Sequence, residues 1–167
     1  MITGNLPIMS KNITCAITGH RLIENGFDFE RLKSDLTEIY DLGYRIFLCG
    51  MAKGFDTICF KALSILKTDY PDIKICAVVP CSTQSKYLSE SERAEYFEML
   101  EQADYIEKED KPYFNGCMLI RNDHMIKHSS YLYAYFNGEK KGGTYYTVNR
   151  ARKNCLEIKF YPVGENS

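Results

Sequence analysis

Between Arg121 and Thr147 the chain reads RNDHMIKHSSYLYAYFNGEKKGGTYYT, and these residue types point to phosphate chemistry. A helical arginine with an asparagine beside it, Arg121 and Asn122, precedes an apolar strand from Tyr131 to Phe136. The pair Gly142 and Gly143, with Thr144, then opens a second helix. Backbone N–H groups left free at a helix start, joined by a hydroxyl, form a ready anion site. Arg121 adds a planar cation suited to phosphate, and Met125 shares its face one turn on.

Three further loops carry groups of the same kind. Gly19, His20 and Arg21 close an apolar run, where glycine permits close backbone approach and the two side chains offer donors. Gly50 and Gly54 bound a loop whose N–H groups suit an anion nest, with Lys53 as an added charge. Asp56 reads either as a helix N-cap or as an acceptor for a ribose hydroxyl. Farther on, Gln84 offers an amide to a base edge and Tyr87 a ring to stack on. Cys81 sits at a strand end, with no neighbouring base in the sequence to activate it. His124 and His128 stand at metal-like i, i+4 spacing, but the HExxH glutamate is missing and no metal site is expected. The tyrosines clustered in 131–146 are expected on strand faces and the domain surface.

Apolar runs punctuated by glycine and proline must position these loops. Strands are expected at Ile13–Thr18, Tyr44–Cys49, Ile73–Val79, Tyr105–Glu107, Tyr131–Phe136 and Leu156–Tyr161. Helices are expected between them. One runs from Asp28 to Leu42 with Gly43 ending it, and the next carries the stripe Cys59, Phe60, Leu63 and Leu66. A third is opened by the capping box Ser89–Glu92 and runs to Gln102; the last two span Asn115–Ser129 and Gly142–Lys153. Strictly alternating elements of this length predict an α/β fold, a mainly parallel sheet of about six strands with helices on both faces. The ligand then belongs outside the carboxyl ends of the strands, where the loops above converge.

The 167 residues suffice for one domain, expected over 13–162, with 1–12 as a poorly ordered extension and 163–167 as a tail. Twenty-one Lys and Arg against 22 Asp and Glu create no global basic field, which argues against nucleic acid as a partner. Seven scattered cysteines without a CxxC pair fit a reducing cytoplasm. No apolar run reaches membrane-spanning length.

The motifs TGHR at 18–21, CGMAKGFD at 49–56, VPC at 79–81 with Gln84, RNDHM at 121–125 and GGT at 142–144 resemble, in order and spacing, the YpsA-like branch of the SLOG superfamily. The likeness runs from Ile13 to Tyr161. That superfamily of small bacterial proteins also contains the lonely-guy phosphoribohydrolases and the DNA-processing protein DprA. The resemblance implies a single Rossmann-like three-layer α/β/α domain with a site for a nucleotide or a nucleotide-derived small molecule. In the phosphoribohydrolases a helix arginine, followed four residues later by Met, precedes a PGGxGTxxE loop, and the arginine and the glutamate serve in cleaving base from sugar. Arg121, Met125, Gly142, Gly143 and Thr144 match that pattern, but Thr147 stands where the glutamate would fall and cannot act as a carboxylate acid or base.

The expected function is therefore a sensor or carrier module binding a nucleotide-like ligand, without a cofactor, and with room for a homo-oligomer. The first alternative is N-glycosidic hydrolysis of a nucleoside 5'-monophosphate. Arg121 and Asp56 are its catalytic candidates, and Glu139 or Asp123 are other carboxylates that would substitute for the glutamate. The second alternative is single-stranded DNA binding, by analogy with DprA.

Overall fold

The computed structural model describes residues 1–6 and 10–164. Seven strands, β1 (Thr3–Gly4), β2 (Thr14–Gly19), β3 (Ile46–Cys49), β4 (Lys74–Val79), β5 (Tyr105–Lys108), β6 (Tyr131–Tyr135) and β7 (Glu157–Phe160), form one sheet in the order β1-β5-β4-β3-β2-β6-β7. Five helices connect them: α1 (Phe29–Asp41), α2 (Phe55–Asp69), α3 (Glu90–Gln102), α4 (Cys117–Lys127) and α5 (Gly142–Lys153). All strand pairs are parallel except β1 with β5.

Period-2 alternation divides the buried side chains between two faces of the sheet. Cys15, Ile17, Phe47 and Cys49 turn toward Leu32, Leu36 and Ile39 of α1 and toward Phe60 and Leu63 of α2. Ala16, Leu48, Val78 and Leu132 turn the other way, onto Met125 and Ile126 of α4 and Val148 and Ala151 of α5. The result is three layers, as the alternation of elements predicts.

Helix ends follow local chemistry. Asp28 caps α1 by accepting from the Arg31 N–H at 3.1 Å, and Gly43 follows the helix with φ +110°. Ser89 and Glu92 form the reciprocal capping box at the start of α3. α5 spans the predicted residues, Gly142 to Lys153.

One expectation is revised. The sheet has seven strands, the additional one being β1, inside the stretch expected to lack order. Two polar residues carry no apolar alternation, and their pairing depends on partners about a hundred positions away. Thr3 and Gly4 pair with Lys108 and Glu107, and the Leu6 N–H donates to Glu107 Oε1 at 2.8 Å. The expected poor order at Pro7–Met9 falls outside the described residues, as does the expected tail from Glu165 to Ser167. The tyrosines of β6 build a strand face as expected, with Tyr131, Tyr133 and Tyr135 all buried against one side of the sheet. The Tyr133 hydroxyl donates to the buried Asp35 at 2.6 Å, which satisfies both groups inside the α1 layer.

The chain leaves β2 toward β3, β4 and β5 on one side of the sheet and places β6 and β7 on the other. β2 is thus the topological switch point. Loops leaving β2 and β6 diverge there and open a crevice at the carboxyl edge. No helix among the described residues is long and apolar enough to cross a membrane.

Candidate functional site

A cavity of about 390 Å³ occupies that crevice. Three strand-end loops reach it. From β2 come Gly19, His20 and Arg21; from β3 come Gly50 and, past the loop, Asp56; and from the start of α5 come Gly143 and Thr144. α4 closes the cavity with Arg121 and Asn122. Nine of the predicted site residues therefore meet in one place. Met118, one turn before Arg121 on the same helical face, lines it too; its i, i+3 spacing from Arg121, the counterpart of the i, i+4 spacing of Arg121 and Met125, was the available signal for it.

Arg121 is 6% exposed. Its Nη1 donates to the Gly50 carbonyl, and its Nε donates to Asn122 Oδ1 at 2.7 Å. Gln84 Nε2 donates to the same Gly50 carbonyl at 3.0 Å, so one oxygen accepts from both sides. A methyl group on Gly50 would lie 2.7 Å from Arg121 Nη1 and 3.0 Å from Asp56 Oδ2. The cation and the carboxylate thus converge on a point that only glycine leaves open.

Asp56 is 7% exposed, and its Oδ2 accepts from the Ala52 N–H at 3.2 Å. It is not an N-cap. Gly54 holds that position without a side-chain bond, and Asp56 lies inside the first turn of α2. Burial pushes its carboxyl up to about 6, against the pull of Arg121 and of the Ala52 N–H. Burial also lowers Arg121 from its ordinary value, with Asp56 opposing. A carboxylate whose folded value is raised favours folding below its unfolded value, and loses that advantage as pH rises through about 6. Asp56→Asn removes this dependence. Denaturant unfolding from about pH 4 to 8 is expected to show the Asn variant gaining on the wild type by on the order of 3 kcal/mol, most of it reached by about pH 6. A constant difference across that range would show that Asp56 does not titrate in the fold.

At the start of α5 the capping residue Lys141 makes no side-chain cap bond, so the first N–H groups of the helix are not taken by a cap. Gly142 has φ +88°, a left-handed conformation that other residues adopt only with strain, and it lies outside the cavity wall. Gly143 is different. A Cβ there would meet only Asn122 Nδ2, at 3.8 Å.

Two other residues of the predicted site have structural roles. Gly54 admits the neighbouring loop, since a Cβ would come 2.3 Å from the Arg21 carbonyl oxygen, and the Phe55 N–H beside it donates to the His20 carbonyl at 3.2 Å. Gln84 spends its amide on Gly50 and on the Tyr96 hydroxyl, which donates to Oε1 at 2.9 Å. It thereby positions the β3 loop.

His20 Nε2 accepts from the Asn137 N–H at 3.0 Å, tying the loop after β2 to the loop after β6. Cys81 is buried, and burial raises its thiol. That disfavours the thiolate a nucleophile would need. Asp123 is committed to Tyr146 and Arg150, holding α4 on α5, and the exposed Glu139 pairs with Lys141. Thr147 is 1% exposed and donates to the Gly143 carbonyl at 2.8 Å. Of the carboxylates considered, Asp56 alone lines the cavity. His124 proves largely buried rather than a surface residue, and burial pushes its imidazole down to about 4. No trio of possible metal ligands is grouped among the described residues.

The YpsA family model, described as the YspA SLOG family, matches residues 15–163. This chain belongs to that family. The UPF0398 protein YpsA of Bacillus subtilis strain 168 is 27% identical over 160 residues, covering 89% of this chain and 88% of that protein. The SPbeta prophage-derived protein YoqJ of the same strain is 34% identical over 122 residues, covering 66% of this chain and 71% of YoqJ. Among solved structures, DNA processing protein A from Helicobacter pylori, reported for its single-stranded DNA binding mode, superposes with a TM-score of 0.68 at 19% identity. It covers 94% of this chain and 68% of that one. At that identity the likeness is one of fold, and it agrees with a Rossmann-type SLOG domain.

Proposed function

We propose that this SLOG protein binds a nucleotide or nucleotide-derived ligand at the carboxyl edge of β2, β3 and β6, as a sensor or carrier, with the phosphate at the N-terminus of α5. The observation that carries this reading is convergence: a buried arginine and an uncapped helix start face one cavity at the switch point of the sheet. Backbone N–H groups of Gly143 and Thr144 would hold phosphate oxygens. Arg121, anchored through Gly50 and Asn122, would supply the balancing charge. Asp56 would accept from a sugar hydroxyl, and better above about pH 6, where it is ionised. Seven free thiols, six of them buried, support a reducing cytoplasmic setting.

A second reading is supported by Asp56 itself. A buried carboxyl near 6, in the same cavity as a buried arginine, has the properties of an acid or base for N-glycosidic cleavage. Incubating the protein with a panel of nucleoside monophosphates and related nucleotides, and scoring retained ligand and released base by mass spectrometry, separates the two. Retention without release is expected. Release that vanishes in Asp56→Asn would make the protein a hydrolase. The likeness to DprA keeps single-stranded DNA among the ligands to be tested, against the balanced charge; binding whose affinity falls steeply with salt would identify it.

A further inference from the structure

Beside the α5 cavity lies a second one of about 520 Å³, and the two have Arg21, Ala52 and Met118 in common. They form one groove with Arg21 at the junction. The second lobe has different walls, in which Met51, Leu88, Tyr87 and Tyr113 offer apolar and aromatic surface and Lys53 adds a charge. Tyr87 is 88% and Tyr113 62% exposed, so two rings stand at the lobe with most of their surface uncovered. Aromatic surface left uncovered around a concave site marks a place for an apolar or flat ligand group.

We propose that the groove takes a pyrophosphate-linked dinucleotide. This rests on the phosphate-site reading above and extends it. One nucleotide lies in the α5 lobe with its sugar beside Asp56 and its phosphate at the start of α5 near Arg121. That phosphate is one half of the pyrophosphate, whose other half sits at Arg21, and the base of the second nucleotide stacks against Tyr87 and Tyr113. A mononucleotide leaves one lobe empty. The two lobes together reach the upper part of the range of about 300–1,000 Å³ usual for small-molecule sites, which suits a ligand of two nucleoside units. Arg21, common to both lobes, places positive charge where a linking anion would sit, while Lys53 lines the second lobe alone and faces Glu92 at 3.8 Å.

The test compares AMP, ADP-ribose, NAD and a short oligothymidylate by calorimetric titration against the wild type, Gly143→Val and the double variant Tyr87→Ala, Tyr113→Ala. Both rings are exposed, and thermal unfolding of the double variant confirms that the fold is kept. NAD is expected to bind at least about 10-fold tighter than AMP, as one added stacked base implies. The double variant should lose that advantage while keeping the wild-type affinity for AMP, and Gly143→Val should lose both ligands. Equal affinities for AMP and NAD, or an advantage that survives in the double variant, would overturn the two-lobe proposal and leave the phosphate site standing. Failure of the wild type to bind any of the nucleotides would overturn both. Oligothymidylate binding tighter than NAD, with a steep salt dependence, would replace the dinucleotide with single-stranded DNA.

Discussion

A Gly143→Val protein is expected to fold like the wild type and to bind nucleotide more than about 100-fold more weakly, a loss of roughly 2.7 kcal/mol. Residue 143 is exposed, sits in the first turn of α5 and lacks the positive φ of its neighbour Gly142. Its Cβ would meet no atom closer than Asn122 Nδ2 at 3.8 Å. The fold therefore accommodates valine, and a surface substitution of this kind changes stability by about 0.5 kcal/mol or less. The cavity does not accommodate it equally well. The valine methyls occupy the approach to the N–H groups of 143 and 144, where phosphate oxygens would have to come within hydrogen-bond distance. Calorimetric titration with thermal unfolding checks both halves. A folded variant with wild-type affinity would remove the phosphate site from α5. Gly142→Val makes the contrast: at φ +88° it is strained, and stability falls before binding can be judged.

Arg121→Ala is expected to destabilise the protein by about 3 kcal/mol at neutral pH, the scale on which removing one member of a buried charged pair acts. The Gly50 carbonyl keeps Gln84 as a donor, so the lost hydrogen bond there is partly made up. Asp56 is the group left exposed to the full cost. Without the guanidinium its carboxyl rises further above about 6, because burial is then opposed only by the Ala52 N–H and the weaker pull of Arg21. The raised value fixes the sign. The penalty is largest where Asp56 must ionise, above its folded value, and shrinks toward about pH 5, where the carboxyl is protonated. Denaturant unfolding at about pH 5 and 8 measures this, and adding Asp56→Asn to Arg121→Ala should recover part of the loss at the higher pH. A penalty independent of pH and unaffected by the second substitution would mean that Arg121 acts through packing alone.

How much of this could be read in the sequence depended on the range of the physics involved. α5 was legible to its end residues, because a glycine pair after an apolar strand, opening a helix, is a local signal. The α3 capping box was legible for the same reason. The meeting of nine candidate residues in one cavity was legible at one remove, since alternation implies a parallel sheet and a parallel sheet gathers its carboxyl-end loops. β1 was not, because its two residues are a strand only by virtue of β5. Gln84 and Gly54 were placed in the right loops, but the structural work they do there was not visible. The amide is consumed by Gly50 and Tyr96, and the glycine is demanded by the Arg21 backbone. Neither partner is a sequence neighbour. Asp56 offered two readings, and the capping one fails because α2 begins at Phe55, with Gly54 at the N-cap and Asp56 already inside the first turn.

The sheet has two rims, and they are guarded differently. On one side β1 covers the β5 ladder with just two residues, too short a strip to template another strand. On the other, β7 presents Glu157 and Lys159 among its four residues, and charge on an outer strand deters edge-to-edge addition. The consequence is practical. Trimming the chain to the family-matched core from residue 15 would strip the cover from β5 and leave an open ladder next to a parallel, apolar β4. Such a shortened protein is a self-association hazard, whereas the longer chain carries its own terminator for the sheet.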